Sequence, residues 1–241
     1  MKQLLAIIVF LAASSALYAQ EVIIDEQISD TIIEPAFGPN QKHFIQTIYS
    51  FGFVLPSEND LSAMKYVENG FQFPIGLRYK YKIDNHLAIG SDLYFKWTWF
   101  DFDTSRPASI AYKTEIYTLG AWGLAPYIRF NFGKRGNHLG TFLDLFAFGE
   151  LNSYRTYQYR VESDLLDPIL AGGNSPFRDV TYSKLDFIQK YSAGAGLRFG
   201  WKDFSVFANY RLTQLFLDDK APAVLNHSEL PAFCFGLELG M

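Results

Sequence analysis

The chain has 241 residues, is 17% aromatic and 19% charged, and carries a formal net charge of −4. That length fits one large β domain or two small ones, and the charge balance excludes the basic footprint of a nucleic-acid binder. The single cysteine, Cys234, excludes an internal disulfide, so stability has to come from packing or from a closed hydrogen-bond ladder.

The N-terminus reads "MKQLLAIIVFLAASSALYAQE". Lys2 is a basic n-region, Leu4 to Ala13 an apolar h-region, and Ser14 to Ala19 a small-residue stretch. This is the form of a secretory signal peptide over 1–19, cleaved between Ala19 and Gln20. The apolar run is shorter than the roughly 20 residues of a spanning helix. Residues 20–41 are acidic and broken by Pro35, Gly38 and Pro39, which predicts a periplasmic tether of low order. The alternative for the tether is a docking peptide for an energising or chaperone partner. The remainder, 42–241, is expected to form one barrel domain.

Alternation dominates that remainder. A first strand, from about His43 to Val54, sets Ile45, Thr47, Tyr49, Phe51 and Phe53 against Gln46, Ser50 and Gly52. A second, "FQFPIGLRYKYKI" at 71–83, opposes seven apolar or aromatic residues to Gln72, Pro74, Gly76, Arg78, Lys80 and Lys82. Pro74 lacks a ladder donor and predicts a bulge or weak point. A third, from His86 to Phe102, ends on Trp97, Trp99 and Phe100, which suit an aromatic girdle. A fourth ends "APYIRFNF". A fifth runs from His138 past Glu150. The sixth ends "YSAGAGLRF", the seventh is "FSVFANYRL" and the eighth "FCFGLELGM".

Three connections are short, at Asp84-Asn85, Gly133 to Asn137 and Lys202-Asp203. Four are long, at about 55–69, 103–113, 161–183 and 214–229. Short turns at one end and long loops at the other mark an outer-membrane barrel. Volume supports this. The interior of an eight-stranded barrel is just wide enough for its own side chains. The apolar faces are too bulky to fill it, whereas the Gly-, Ala- and Ser-rich faces fit. The fold class expected is therefore an eight-stranded, antiparallel, up-and-down transmembrane β-barrel, turned inside out. Ten strands result if one long loop hides a hairpin, and a soluble lipocalin-like barrel is the structural alternative.

Three stretches, "GLRYKYKIDNHLAIGSDL", "APYIRFNFGKRGNHLGTFLDLFAFGE" and "ELPAFCFGLELGM", resemble the outer-membrane β-barrel (PorT-like) proteins of Bacteroidota-type bacteria. The resemblance covers most of 42–241. It implies the architecture and the compartment, the outer membrane of a Gram-negative cell, and assigns no reaction. "GLELGM" also fits the G-x-x-Φ-x-Φ form of a barrel-assembly signal through Gly236, Leu239 and Met241, although it ends on Met rather than an aromatic residue.

On this register Arg78, Lys80, Asp92, Arg129, Asp144, Arg198, Arg211 and Glu238 point into the lumen. By their distance from the short turns, Arg78, Asp92, Asp144 and Arg211 are expected to share a level, with Arg129, Arg198 and Glu238 nearer the periplasmic end. Opposite charges in a narrow lumen have to pair. The expectation is a structural ion-pair network that plugs the barrel; the alternative is a narrow, anion-preferring path. Cys234 reads as an inert small filler.

Other constellations carry less. His43, His86 and His138 each open an odd-numbered strand at the rim and suit an interface rather than a metal site. His227-Ser228-Glu229 supplies the residue types of a lipid-modifying hydrolase, yet adjacent residues do not readily line up as nucleophile, base and orienter. "GAGLRFG" at 194–200 lies in a strand and opens no helix, so it lacks the context of a phosphate loop. "GKRGN" reads as a basic turn. Leu165, Leu166, Ile169 and Leu170 form an apolar patch in the third long loop, either a lid on the barrel mouth or a partner contact.

The reading is a non-enzymatic barrel with a plugged lumen, serving a structural, binding or secretion-accessory role. The alternatives are a lipid-modifying hydrolase and a narrow anion-preferring channel. No cofactor is expected. The partners expected are outer-membrane lipid, the barrel-assembly machinery and an envelope or secretion-machine protein. Both termini are expected in the periplasm.

Overall fold

The computed structural model describes residues 38–55, 70–102, 112–132, 140–162, 177–217 and 229–241, which all belong to one compact unit, Ala36–Met241. The strands are β1 (His43–Leu55), β2 (Gly70–Lys82), β3 (Leu87–Phe102), β4 (Tyr112–Phe132), β5 (Thr141–Glu162), β6 (Phe177–Ser183), β7 (Tyr191–Trp201), β8 (Phe204–Arg211) and β9 (Phe233–Gly240). Neighbours pair in the order β4-β3-β2-β1-β9-β8-β7-β5, and a further β4–β5 pairing closes the ring. All pairings between these strands are antiparallel.

Nine strands make eight staves. β7 pairs with Thr141–Leu151 of β5, and β6 pairs with Thr156–Glu162 of the same strand. β6 and β7 are thus two pieces of one stave, interrupted at 184–190. The eight-stranded closed antiparallel barrel expected from the alternation is what forms. The predicted loop over 161–183 needs correction, because its last seven residues are β6. They escaped notice because β6 carries Asp179, Thr181 and Ser183 where a membrane-buried strand carries apolar residues. β4, β5 and β6 continue past the shorter β8 and β9 at the end opposite the turns 83–86 and 202–203.

Period-2 alternation decides which side chains face out. Leu77 is 50% exposed and Arg78 beside it 2%; Leu93 is 53% exposed and Asp92 1%. Trp97, Trp122, Leu124, Ile128, Phe130, Leu197, Phe199, Trp201 and Phe235 are all exposed. A barrel with an apolar belt outside and its charges inside has lipid as its surrounding medium. Phe100 departs from its expected girdle place: it is buried, because its even position on β3 points inward with Thr98.

The lumen holds more large rings than the sequence suggested. Tyr94, Tyr127, Phe142, Phe146 and Phe148 all point inward, and each stands opposite a glycine of the next strand: Gly123, Gly90, Gly200, Gly196 and Gly194. A Cβ at any of these five glycines would run into the opposing ring. The glycines are the space the aromatics occupy. Pro74 makes a gap rather than a bulge. The β1–β2 ladder omits the two pairs between Tyr49↔Ile75 and Gly52↔Gln72 without a change of register.

The half of the lumen away from the turns 83–86 and 202–203 is closed by an apolar cluster. Leu185 and Ile188 come from the interruption between β6 and β7, Leu215 and Phe216 from the segment after β8, and Leu230 from the segment before β9. They pack on Tyr117, Leu119 and Tyr157 of β4 and β5. Lys184 adopts a φ of 59° where the chain leaves the sheet, and Ile188 bridges to Phe216. At the other end, Gly38–Asn40 forms a 3-10 turn, the last part of the segment expected to be a low-order tether. It is ordered because Lys80 Nζ donates to the Pro39 carbonyl and Lys82 Nζ donates to Asn40 Oδ1. The expected signal peptide, the expected Ala19-Gln20 cleavage site and residues 20–37 of the expected tether lie outside the described residues.

Candidate functional site

The site is a charged layer across the lumen. Three of its ion pairs follow from strand register. Arg78 and Asp92 are cross-strand neighbours on β2 and β3, as are Arg129 and Asp144 on β4 and β5, and Asp144 and Arg198 on β5 and β7. Arg78 forks onto Asp92 with Nε–Oδ1 at 2.7 Å and Nη2–Oδ2 at 2.8 Å. Arg129 forks onto Asp144 at the same two distances. Such bidentate pairs are the strong form of the Arg–carboxylate interaction.

Arg78 and Arg198 also reach past their neighbouring strands, to Glu238 and Asp92. Arg78 Nη1 donates to Glu238 Oε1 at 2.7 Å. Arg198 faces three carboxylates: Nη1 lies 3.0 Å from Asp144, Nη2 2.8 Å from Asp92 and Nε 3.1 Å from Glu238. The Nε contact is an ion pair without an aligned hydrogen bond. Ser50 and Ser205 donate to the two oxygens of Glu238. The layer therefore contains three arginines and three carboxylates, so its formal charges balance.

Rings support the guanidiniums from the walls. The Arg129 guanidinium carbon lies 3.7 Å from the Phe142 ring centre, Arg198 5.0 Å from Phe146, and Arg78 5.7 Å from Tyr127. These are cation–π distances. They give the inward aromatics opposite the glycines a second role.

The other two inward charges take separate places. Lys80 is buried below the layer, on the Pro39 carbonyl and 5.4 Å from the Phe44 ring centre. Arg211 does not share a level with Arg78, Asp92 and Asp144. It stands near the apolar plug, where Nη1 lies 3.2 Å from Glu229 and Nη2 donates to the Leu230 carbonyl at 2.5 Å. Arg129, Arg198 and Glu238 in turn join the Arg78 layer. Staves in a barrel are tilted and staggered, so equal residue counts from a turn do not give equal height.

Sequence reasoning missed a second cluster above the layer. Glu150 accepts from Lys96 Nζ at 2.5 Å, from Tyr94 Oη at 2.8 Å and from Ser192 Oγ at 3.1 Å. The signal was available, since Glu150 continues the inward series of Asp144 on β5 and Lys96 that of Asp92 on β3. Cys234 is buried and unpaired with another cysteine.

The described catalytic and metal candidates, His43, His86 and Glu229, do not gather here. His43 Nδ1 lies 2.8 Å from the Tyr79 hydroxyl on the exposed rim. His86 is exposed in the turn after β2. Among the described residues, no group of three His, Cys, Asp or Glu side chains could hold a metal ion. Glu229 accepts from the backbone N–H groups of Leu215 and Phe216, so its carboxylate fastens the plug. His138, His227, Ser228, the turn "GKRGN" and Leu165, Leu166, Ile169 and Leu170 lie outside the described residues.

No protein-family profile and no curated protein sequence matches the chain. Among solved structures, it is similar to the crystal structure of Ail, the attachment invasion locus protein of Yersinia pestis, with 12% identity, a TM-score of 0.32, and coverage of 82% of this chain and 94% of that one.

Proposed function

We propose that the chain is a non-enzymatic outer-membrane β-barrel of a Gram-negative cell, a structural, binding or secretion-accessory protein that works as a closed body. The observation that carries this reading is the closure of the lumen at two levels: a balanced layer of three arginines and three carboxylates, and an apolar plug. Among the described residues, such a lumen leaves neither a substrate cleft nor a wide path. The balance also removes the basic excess that an anion-preferring channel needs.

Orientation follows the usual rule for such barrels, with short turns in the periplasm. His43, the turns 83–86 and 202–203 and Met241 belong to that end, and both termini lie there. The extended β4–β5–β6 sheet is the outward face, and its outermost strand, β6, offers backbone groups for recognition of a protein of the envelope or of a secretion machine. The belt takes outer-membrane lipid, and "GLELGM" addresses the assembly machinery. This agrees with the PorT-like resemblance of the sequence.

Two measurements on the purified and cellular protein test the reading. In planar bilayers the wild-type protein gives no steady conductance. In intact cells, a photo-cross-linker at Thr181 captures a discrete protein partner. Steady ion conductance by the wild type overturns the closed-body reading, and the absence of any adduct from the outer sheet overturns the binding role.

A further inference from the structure

Between the charged layer and the apolar plug the lumen is not filled. Two voids of about 40 and 50 Å³ lie one above the other. The lower reaches Asp92, Arg198 and Glu238 of the layer, and the upper reaches Leu119 and Leu215 of the plug. They share Gln72, Lys96, Phe148, Glu150 and Asn209 as walls, so they form two parts of one chamber. A water molecule needs roughly 10–15 Å³ of such space, so each part has room for about three.

The chemistry of the walls decides what fills it. Cavities that stay dry are lined by apolar groups alone. This one is lined by the Lys96–Glu150 ion pair, by Arg211 from the plug side, by Gln72, Thr98, Asn209 and Ser192, and it ends on the charged layer. A charged pair facing an empty space would lose solvation without compensation. Water restores it.

We propose that the chamber is a hydrated compartment and that it is closed by two independent seals of opposite chemistry. The lower seal is ionic and centres on Arg198. The upper seal is an apolar cluster centred on Ile188 and Phe216 and fastened by the Arg211–Glu229 pair. The six charged side chains of the lower seal and the apolar side chains of the upper one are different residues, contributed in large part by different segments. Opening one seal therefore exposes the chamber to one side only. The lumen becomes a continuous path only when both are opened. This deepens the closed-body reading and rests on it.

The test uses the full chain in planar bilayers, with folding checked by gel mobility before and after heating. The variants are Arg198→Ala, the pair Ile188→Ala with Phe216→Ala, and all three substitutions together. The wild type and each single-seal variant remain silent, and the combined variant gives discrete conductance steps. Conductance from either single-seal variant overturns the double seal, as does silence from a folded combined variant. Conductance by the wild type instead overturns the closed-body reading itself. Hydration is read on the wild type by radiolytic labelling of water: Cys234, buried but lining the upper part, is oxidised faster than exposed side chains of the lipid-covered belt. A Cys234 left unmodified overturns the hydrated chamber, whatever the variants do.

Discussion

Arg198 Nη2 lies 2.8 Å from Asp92 Oδ2 across the lumen, although 106 positions separate the two residues in the chain. The contact ties β7 to β3, which share no ladder. Strand pairing by itself links each arginine of the layer only to a neighbouring stave. Arg198 joins those local pairs into one layer by facing Asp92, Asp144 and Glu238 at once.

Arg198→Met leaves three buried carboxylates with two arginines. Removing one partner of a buried ionic cluster costs about 3–5 kcal/mol, and unfolding by urea from lipid vesicles will show that loss as a lowered midpoint. Arg198→Lys loses less, because the charge stays, but an ammonium lacks the planar fork that faces three acids. An unchanged midpoint for Arg198→Met removes Arg198 from the centre of the layer.

Gly90 and Gly149 predict opposite outcomes for the same substitution. A methyl at Gly90 meets the Tyr79 carbonyl and, at 2.5 Å, the Tyr127 ring; at Gly149 it meets nothing within 4 Å. Gly90→Ala therefore reduces the yield of folded barrel, read as the heat-modifiable fraction on gels. Gly149→Ala leaves that fraction at the wild-type level. Equal yields for the two variants contradict the packing of Tyr127 against β3.

Spin labels at neighbouring positions of β2 test the inside-out alternation. A label at Leu77 collides with oxygen dissolved in lipid, whereas a label at Arg78 does not, as their 50% and 2% exposures require. Lipid-type accessibility at position 78 overturns the assignment of faces.

Asp179 and Arg160 pair at 2.6 Å on the exposed face of the β5–β6 extension, past the ends of β8 and β9. The hydrogen bond from Arg160 holds the Asp179 carboxyl below its ordinary range. A lowered carboxyl value means that the pairing contributes above the unfolded pKa and is lost as pH falls through the folded one. NMR titration of Asp179 in Arg160→Gln will show the midpoint moving up toward the ordinary carboxylate range. No movement shows that the pair is not formed in solution.

The barrel is legible in the chain without any structure. Alternation in "FQFPIGLRYKYKI", the alternating connection lengths and the bulk of one face against the other were sufficient, because strand period and lipid exposure are local properties of the chain. The inward direction of Arg78, Asp92, Arg129 and Asp144 was legible for the same reason, and antiparallel register then makes neighbours of them. The remaining features depend on how the strands come together. The height of Arg211 relative to Arg78 depends on stagger between staves, which no single strand encodes. β6 was invisible because above the belt it has no lipid to select apolar residues. The plug formed by Ile188, Phe216 and Leu230, and the reach of Arg198 to Asp92, arise when the ring closes. Closure brings opposite walls within a side chain's length, a distance that sequence separation does not measure.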